Sequence, residues 1–119
     1  MELSLERHGN ALVAKFLGDL DLHTVPDVKR ELEWEITGDP DINILIIDFN
    51  KLHFIDSTGI GLLLGRLREL EKRGGEMVFT GLNIHMRKIL TIAGVLGLVK
   101  VQPTVKKALQ NINGSPVGR

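Results

Sequence analysis

Hydrophobic and polar positions alternate from the start of the chain. Leu3, Leu5 and Arg7 alternate with Ser4, Glu6 and His8, and His8-Gly9-Asn10 then forms a turn. Leu12, Ala14 and Phe16 alternate with Val13, Lys15 and Leu17. Two short strands about a Gly-Asn turn predict an antiparallel hairpin. The alternation is expected to break at Gly18-Asp19-Leu20-Asp21. A period near four then takes over. Val25, Val28, Leu32 and Ile36 predict an amphipathic helix that Thr24 opens. Asp27 stands three residues after Thr24, a capping-box-like spacing, and Pro26 is tolerated in a first turn. The helix should stop at Gly38-Asp39-Pro40, and Trp34, off the stripe, should be only partly covered.

The pattern changes again at Ile44-Leu45-Ile46-Ile47-Asp48-Phe49, a nearly continuous apolar run rich in β-branched isoleucine. A strand that is apolar on both faces belongs inside a covered sheet. A second helix is expected from Ser57 or Thr58, with Ile60, Leu63, Leu64, Leu67 and Leu70 buried. Arg66, Glu69, Lys72 and Arg73 are expected on its other faces, and Gly74-Gly75 ends it. Glu76–Thr80 predicts a strand. Met86, Ile89, Leu90 and Ala93 predict a helix closed by Gly94. A short strand over Leu98–Val101 and a last helix through Val105, Ala108, Leu109 and Ile112 complete the chain. The order is β-β-α-β-α-β-α-β-α. It predicts an α/β fold with a mostly parallel central sheet, an antiparallel N-terminal edge hairpin and about four helices. One domain is expected over 1–113, with a frayed tail over 114–119.

Composition narrows the function. The 15 basic and 15 acidic residues cancel, which argues against nucleic acid as a partner. Arg87, Lys88, Lys100, Lys106 and Lys107 make the second half locally basic, but few aromatic residues accompany them. The absence of cysteine excludes disulfides, Cys-ligated zinc, iron–sulfur clusters and thiol catalysis. The longest aliphatic run, Ile44–Ile47, is too short to span a bilayer. Met1-Glu2-Leu3-Ser4 has neither the basic nor the apolar region of a signal peptide, so none is expected. A soluble cytoplasmic protein, monomeric for want of a large apolar stripe, is expected.

Asp56-Ser57-Thr58-Gly59-Ile60-Gly61 is the most informative stretch, lying between a buried strand and a helix. Ser57 is placed to act as N-cap. Gly59 and Gly61 each cost the helix about 1 kcal/mol. They should leave the surface beside Ser57 bare, which suits close approach by another molecule. Gly59-x-Gly61-x-x-x-Gly65 departs from the dinucleotide fingerprint, and no Gly-Lys-Ser/Thr occurs. Ile55 stands where a nucleophile elbow needs glycine. His8, His23, His53 and His85 have no metal-ligand spacing, and no metal or cofactor is expected. Asp19, Asp21, Asp48 and Asp56 could gather at strand ends, as in a phospho-acceptor receiver domain with Thr80 and Lys100. The leading hairpin and loop chemistry argue against this.

Taken in order, Leu17-Gly18-Asp19-Leu20-Asp21 with Thr24, Phe54 through Gly61, Gly74-Gly75-Glu76-Met77-Val78, and Ala93-Gly94-Val95 with Leu98 resemble one family. The sequence resembles STAS domains, in particular the bacterial anti-sigma factor antagonists of the sporulation and general stress type, over residues 2–113. Thr58 departs from the second Ser that sporulation-type members often carry. The resemblance implies the STAS fold and a non-enzymatic regulator. Its unphosphorylated form would bind an anti-sigma factor that is itself a serine kinase of the GHKL ATPase type, releasing the sigma factor. It implies phosphorylation of Ser57 as the off-switch and a PP2C-type phosphatase that reverses it. Asp21, Thr24, Asp56, Ser57, Thr58, Gly59, Ile60, Gly61 and Leu62 would form the partner surface. A phosphate on Ser57 should find free N–H groups at the helix start. A receiver-like phospho-acceptor and a scaffolding STAS protein are the alternative readings.

Overall fold

A computed structural model describes residues 1–114 of the chain. Five strands form one sheet, β1 (Glu2–His8), β2 (Ala11–Leu20), β3 (Ile44–Ile55), β4 (Glu76–Thr80) and β5 (Lys100–Gln102). The helices are α1 (Val25–Gly38), α2 (Ser57–Glu71), α3 (Ile84–Ile92) and α4 (Val105–Gly114), with one 3-10 turn at Leu96–Leu98. Strand order is sequential, β1-β2-β3-β4-β5, with β1 and β2 antiparallel and the other neighbours parallel. The expected architecture is therefore the observed one. All three β-α-β crossovers step the same way along the sheet, so right-handed connections place α1, α2 and α3 on one face.

The apolar pattern shows why both faces are covered. Leu12, Ala14, Phe16, Leu45, Ile47 and Phe49 pack under Val28, Leu32, Leu63, Leu67 and Leu90. Ala11, Val13, Ile44, Ile46 and Val78 meet α4 through Ala108, Val105 and Leu109 on the other face. The doubly apolar run of β3 thus lies centrally between two layers of helix.

Several expectations need correction. β2 does not break at Gly18 but runs on to Leu20, and β3 continues past Phe49 to Ile55. Register shifts between Lys15 and Leu17 and between Gly18 and Asp19 absorb the broken alternation, with Gly18 at φ 116°. The last strand begins two residues later than expected, because Leu96–Leu98 takes a 3-10 turn. α4 continues through Gly114, and residues 115–119 of the expected tail lie outside the described residues. Trp34, expected to be only partly covered, is 80% exposed. Arg66, expected on an outer face, is only 7% exposed. It sits between α1 and α2, 3.5 Å from Glu33 and 3.2 Å from Glu69. Arg73 closes the far end of the same seam. Its guanidinium donates to the carbonyls of Ile36, Asp39 and Ile42 at 2.9–3.0 Å, satisfying the end of α1.

Candidate functional site

Beyond Asp48, β3 no longer pairs with β4, and only β2 runs beside it. The ends of β2 and β3 therefore project as a two-stranded extension. Leu20 and Ile55 close the core there, and each strand turns at once into a helix. The candidate site is built on those two turns.

Asp56 is the hub. Its backbone N–H donates to Leu20 O at 3.2 Å, and its own carbonyl accepts from Ile60 N at 3.0 Å. Its side chain, not that of Ser57, is the N-cap of α2. Oδ1 accepts from the N–H groups of Thr58 at 2.9 Å and Gly59 at 3.0 Å and from the Thr58 hydroxyl. Oδ2 accepts from Leu22 N at 3.0 Å, across the loop between β2 and α1. One carboxylate thus fixes the start of α2 and ties it to the neighbouring loop. An extended backbone at Asp56 and a carboxylate at the positive end of the helix dipole explain why Asp outcompetes Ser here. The Thr58 hydroxyl, followed by the Gly59, Leu22 and Thr58 N–H groups, holds the Asp56 carboxyl below the ordinary carboxylate range against a partial desolvation cost.

The β2–α1 loop is equally well bonded. Asp21 Oδ1 accepts from His23 N at 2.9 Å and Thr24 N at 3.1 Å, an Asx turn. Thr24 stands at the cap position of α1 but makes no side-chain cap bond, so the expected capping box does not form. Its hydroxyl turns back into the loop instead, accepting from Asp21 N at 2.9 Å and donating to Asp19 O at 2.8 Å.

The predicted site residues therefore divide. Asp21, Thr24, Asp56, Ser57 and Thr58 come together at one tip of the sheet. Ser57 is exposed, Thr58 is half-buried with its hydroxyl engaged, and Gly61 is exposed with open space where a Cβ would stand. Ile60 is half-buried. Gly59 and Leu62 do not belong to a bare outer surface. A Cβ on Gly59 would lie 2.7 Å from both Leu20 O and Ile55 Cγ1, so this glycine serves close packing of α2 on the strand ends. Leu62 is 5% exposed and lies in the core. The Thr58 and Gly59 N–H groups are also already taken by Asp56, so they are not free for a phosphate.

Two neighbours escape sequence reasoning. Leu22, in the β2–α1 loop, and Phe54, at the end of β3, are both more than half exposed. Nothing in an apolar residue's identity marks it as outward-facing.

Of the four acids of the receiver-like reading, Asp48 stands apart from the other three. Asp48 lies eight residues before Asp56 on an extended strand, roughly 20 Å or more away. It accepts from the Thr80 hydroxyl at 3.1 Å, while Lys100 pairs with Glu76 at 2.9 Å. Among the described residues, no group of three or more His, Asp or Glu side chains is arranged to hold a metal.

Comparison with known proteins identifies the family of this fold. A family model for the STAS domain matches residues 2–108. The chain belongs to the STAS domain family. An anti-sigma F factor antagonist of Lysinibacillus sphaericus is 31% identical over 103 residues, 87% of this chain and 86% of the relative. The structure is similar to that of the anti-sigma factor antagonist SpoIIAA in its unphosphorylated form. That match has a TM-score of 0.83 and 28% identity, covering 95% of this chain and 97% of the other. The phosphorylated form of SpoIIAA from Bacillus matches at TM-score 0.75 and 28% identity, over 93% and 99% of the two chains.

The two glycines should respond oppositely to alanine. Gly59→Ala should lose on the order of 2 kcal/mol in urea unfolding through overpacking. Gly61→Ala should gain about 0.5–1 kcal/mol through helix propensity. Asp56 also predicts a pH dependence. Its pKa is lower in the folded than in the unfolded chain, so its stabilisation is full above the ordinary carboxylate range. It disappears as pH falls through the lowered value. The melting-temperature gap between wild type and Asp56→Asn should be widest near neutrality and should close below about pH 4.

Proposed function

We propose that this STAS domain is an anti-sigma factor antagonist that binds in its unphosphorylated form and is switched off by phosphate on Ser57. The carrying observation is the contrast between two adjacent hydroxyls. Thr58 is half-buried and donates to Asp56, whereas Ser57 is exposed on the first turn of α2. A kinase can reach the Ser57 oxygen without opening the fold. The names of the relatives support the reading, and the SpoIIAA structures in both phosphorylation states support a phosphate-controlled regulator.

The partner is an anti-sigma factor with serine kinase activity of the GHKL type, and a PP2C-type phosphatase restores the active form. The docking surface is Ser57, Gly61 and half-buried Ile60, bordered by Asp21 and Thr24, with Leu22 and Phe54 added from the structure. Asp56 acts beneath it as a positioning residue. Phosphate adds about −1.5 to −2 charges. It stands next to an Asp56 carboxylate already holding two N–H groups of the first turn. The added charge and bulk therefore remain on the surface and act on the partner rather than on the core. The chain itself catalyses nothing, and its place of action is the cytoplasm. Among the described residues, no helix is long and apolar enough to cross a membrane.

The test uses the chain as bait for its kinase partner with ADP present. Ser57→Ala should retain the partner and Ser57→Asp should lose it by tenfold or more, with the melting temperature of both near wild type. Thr58→Ala should still accept one acid-stable phosphate. Equal retention by both Ser57 variants, or phosphate moving to Thr58, would overturn the reading. An acid-labile phosphate would instead favour an aspartyl acceptor.

A further inference from the structure

The chain is neutral overall, but its charges are segregated. All 15 carboxylate side chains, and 9 of the 15 basic residues, lie at or before Glu76. After Glu76 there are six basic residues and no acid, so the two parts carry net −6 and +6. Sequential strand order carries part of this asymmetry into space: Arg87, Lys88 and Lys100 lie on α3 and β5, whereas Lys106 and Lys107 lie on α4, which packs on the other face against β2, β3 and β4. β1, β2 and α1 occupy the acidic edge, and α3 and β5 occupy the basic edge.

Each edge also presents a helix face with large exposed apolar groups. On α1, Val28, Leu32 and Ile36 face the core, and Trp34 stands 80% exposed away from them. It lines an open groove with Arg30, Glu33, Glu35 and Thr37. α1 carries Asp27, Glu31, Glu33 and Glu35 against Lys29 and Arg30, and Arg30 is paired with Asp27. On α3, Met86 and Leu90 face the core. Ile84 and Ile92 are 87% and 82% exposed, one helical stripe with Lys88 between them. Arg87 flanks this stripe, and α3 contains no carboxylate.

We propose that the α1 face of one copy of this chain docks on the α3 face of a second copy. Trp34 seats between Ile84 and Ile92, and Glu31 and Glu35 face Arg87 and Lys88. The two faces are opposite in charge and each carries exposed apolar side chains, which is the complementarity an interface uses. They are different faces, so the contact is heterologous and can add further copies. It uses no residue of α2 and is independent of the Ser57 reading. Two helix faces make a small interface, so association is weak and salt-sensitive.

The sole tryptophan provides the readout. Sedimentation equilibrium and Trp34 emission are followed at low salt from about 10 µM to 1 mM, the range for a small interface. The average mass should rise towards at least twice that of one chain, with a blue shift in emission that added salt reverses. Trp34→Ala and Lys88→Glu should each stay monomeric with melting temperatures near wild type. Mixed, they should associate, because one supplies an intact α3 face and the other an intact α1 face. The emission of the Lys88→Glu copy should then shift blue. A monomer with constant emission up to 1 mM, or a mixture that fails to associate, would overturn the proposal. So would a monomer that binds phosphatidylglycerol vesicles through α3, which would assign that face to lipid.

Discussion

The carboxylate of Asp56 is the interaction on which the site depends. It terminates β3 by capping α2, and it reaches the β2–α1 loop through the Leu22 N–H. Two adjacent parallel strands would otherwise end in two independent loops. With Asp56 between them, they end in a single bonded platform. A capping carboxylate in an aqueous setting is worth modest free energy, yet its positional effect is large. It consumes the polar groups around it, Thr58 included, and leaves the hydroxyl of Ser57 outside that network. On the proposed reading, the hydroxyl offered to a kinase is set by which groups the cap has already used.

Packing reinforces the cap. Gly59 lets the first turn of α2 lie directly on Leu20 and Ile55, so α2 starts against the strand ends rather than above them. The Glu33–Arg66–Glu69 cluster and the Arg73 bonds to three carbonyls hold α1 and α2 together along their length. On the proposed reading, this frame beneath Ser57 lets charge added at the surface act on a partner without loss of fold. Sequential strand order has a separate consequence. It sets the acid-rich α1 and the acid-free α3 toward opposite edges of the sheet.

Much of this was legible in the sequence, for physical reasons that differ by element. The apolar run Ile44–Ile47 and the stripes of α1 and α4 have periods that admit one reading. Glu76–Thr80 is bounded by glycine on both sides and was read residue for residue. The ends of β2 and β3 were not legible, because their register shifts break the two-residue period there. Ser57, Thr58 and Asp56 could each cap a helix, and only backbone geometry decides which side chain does. Gly59 and Gly61 look alike in sequence but face opposite ways, one into the strand ends and one into solvent. Arg66 shows the same limit, since a long charged side chain can be buried once carboxylates from two helices surround it.

The central claim is that phosphate on Ser57 changes the surface while the Asp56 platform and the fold beneath it persist. The most direct measurement is the backbone amide spectrum, by nitrogen-15 NMR, of the same sample before and after stoichiometric phosphorylation of Ser57. The account predicts shifts confined to residues 20–24 and 54–62, with the Leu22, Thr58 and Gly59 amides still hydrogen-bonded and protected from exchange. Loss of protection at those three amides, or shifts spreading through Leu45, Leu63 and Phe79 in the core, would contradict it.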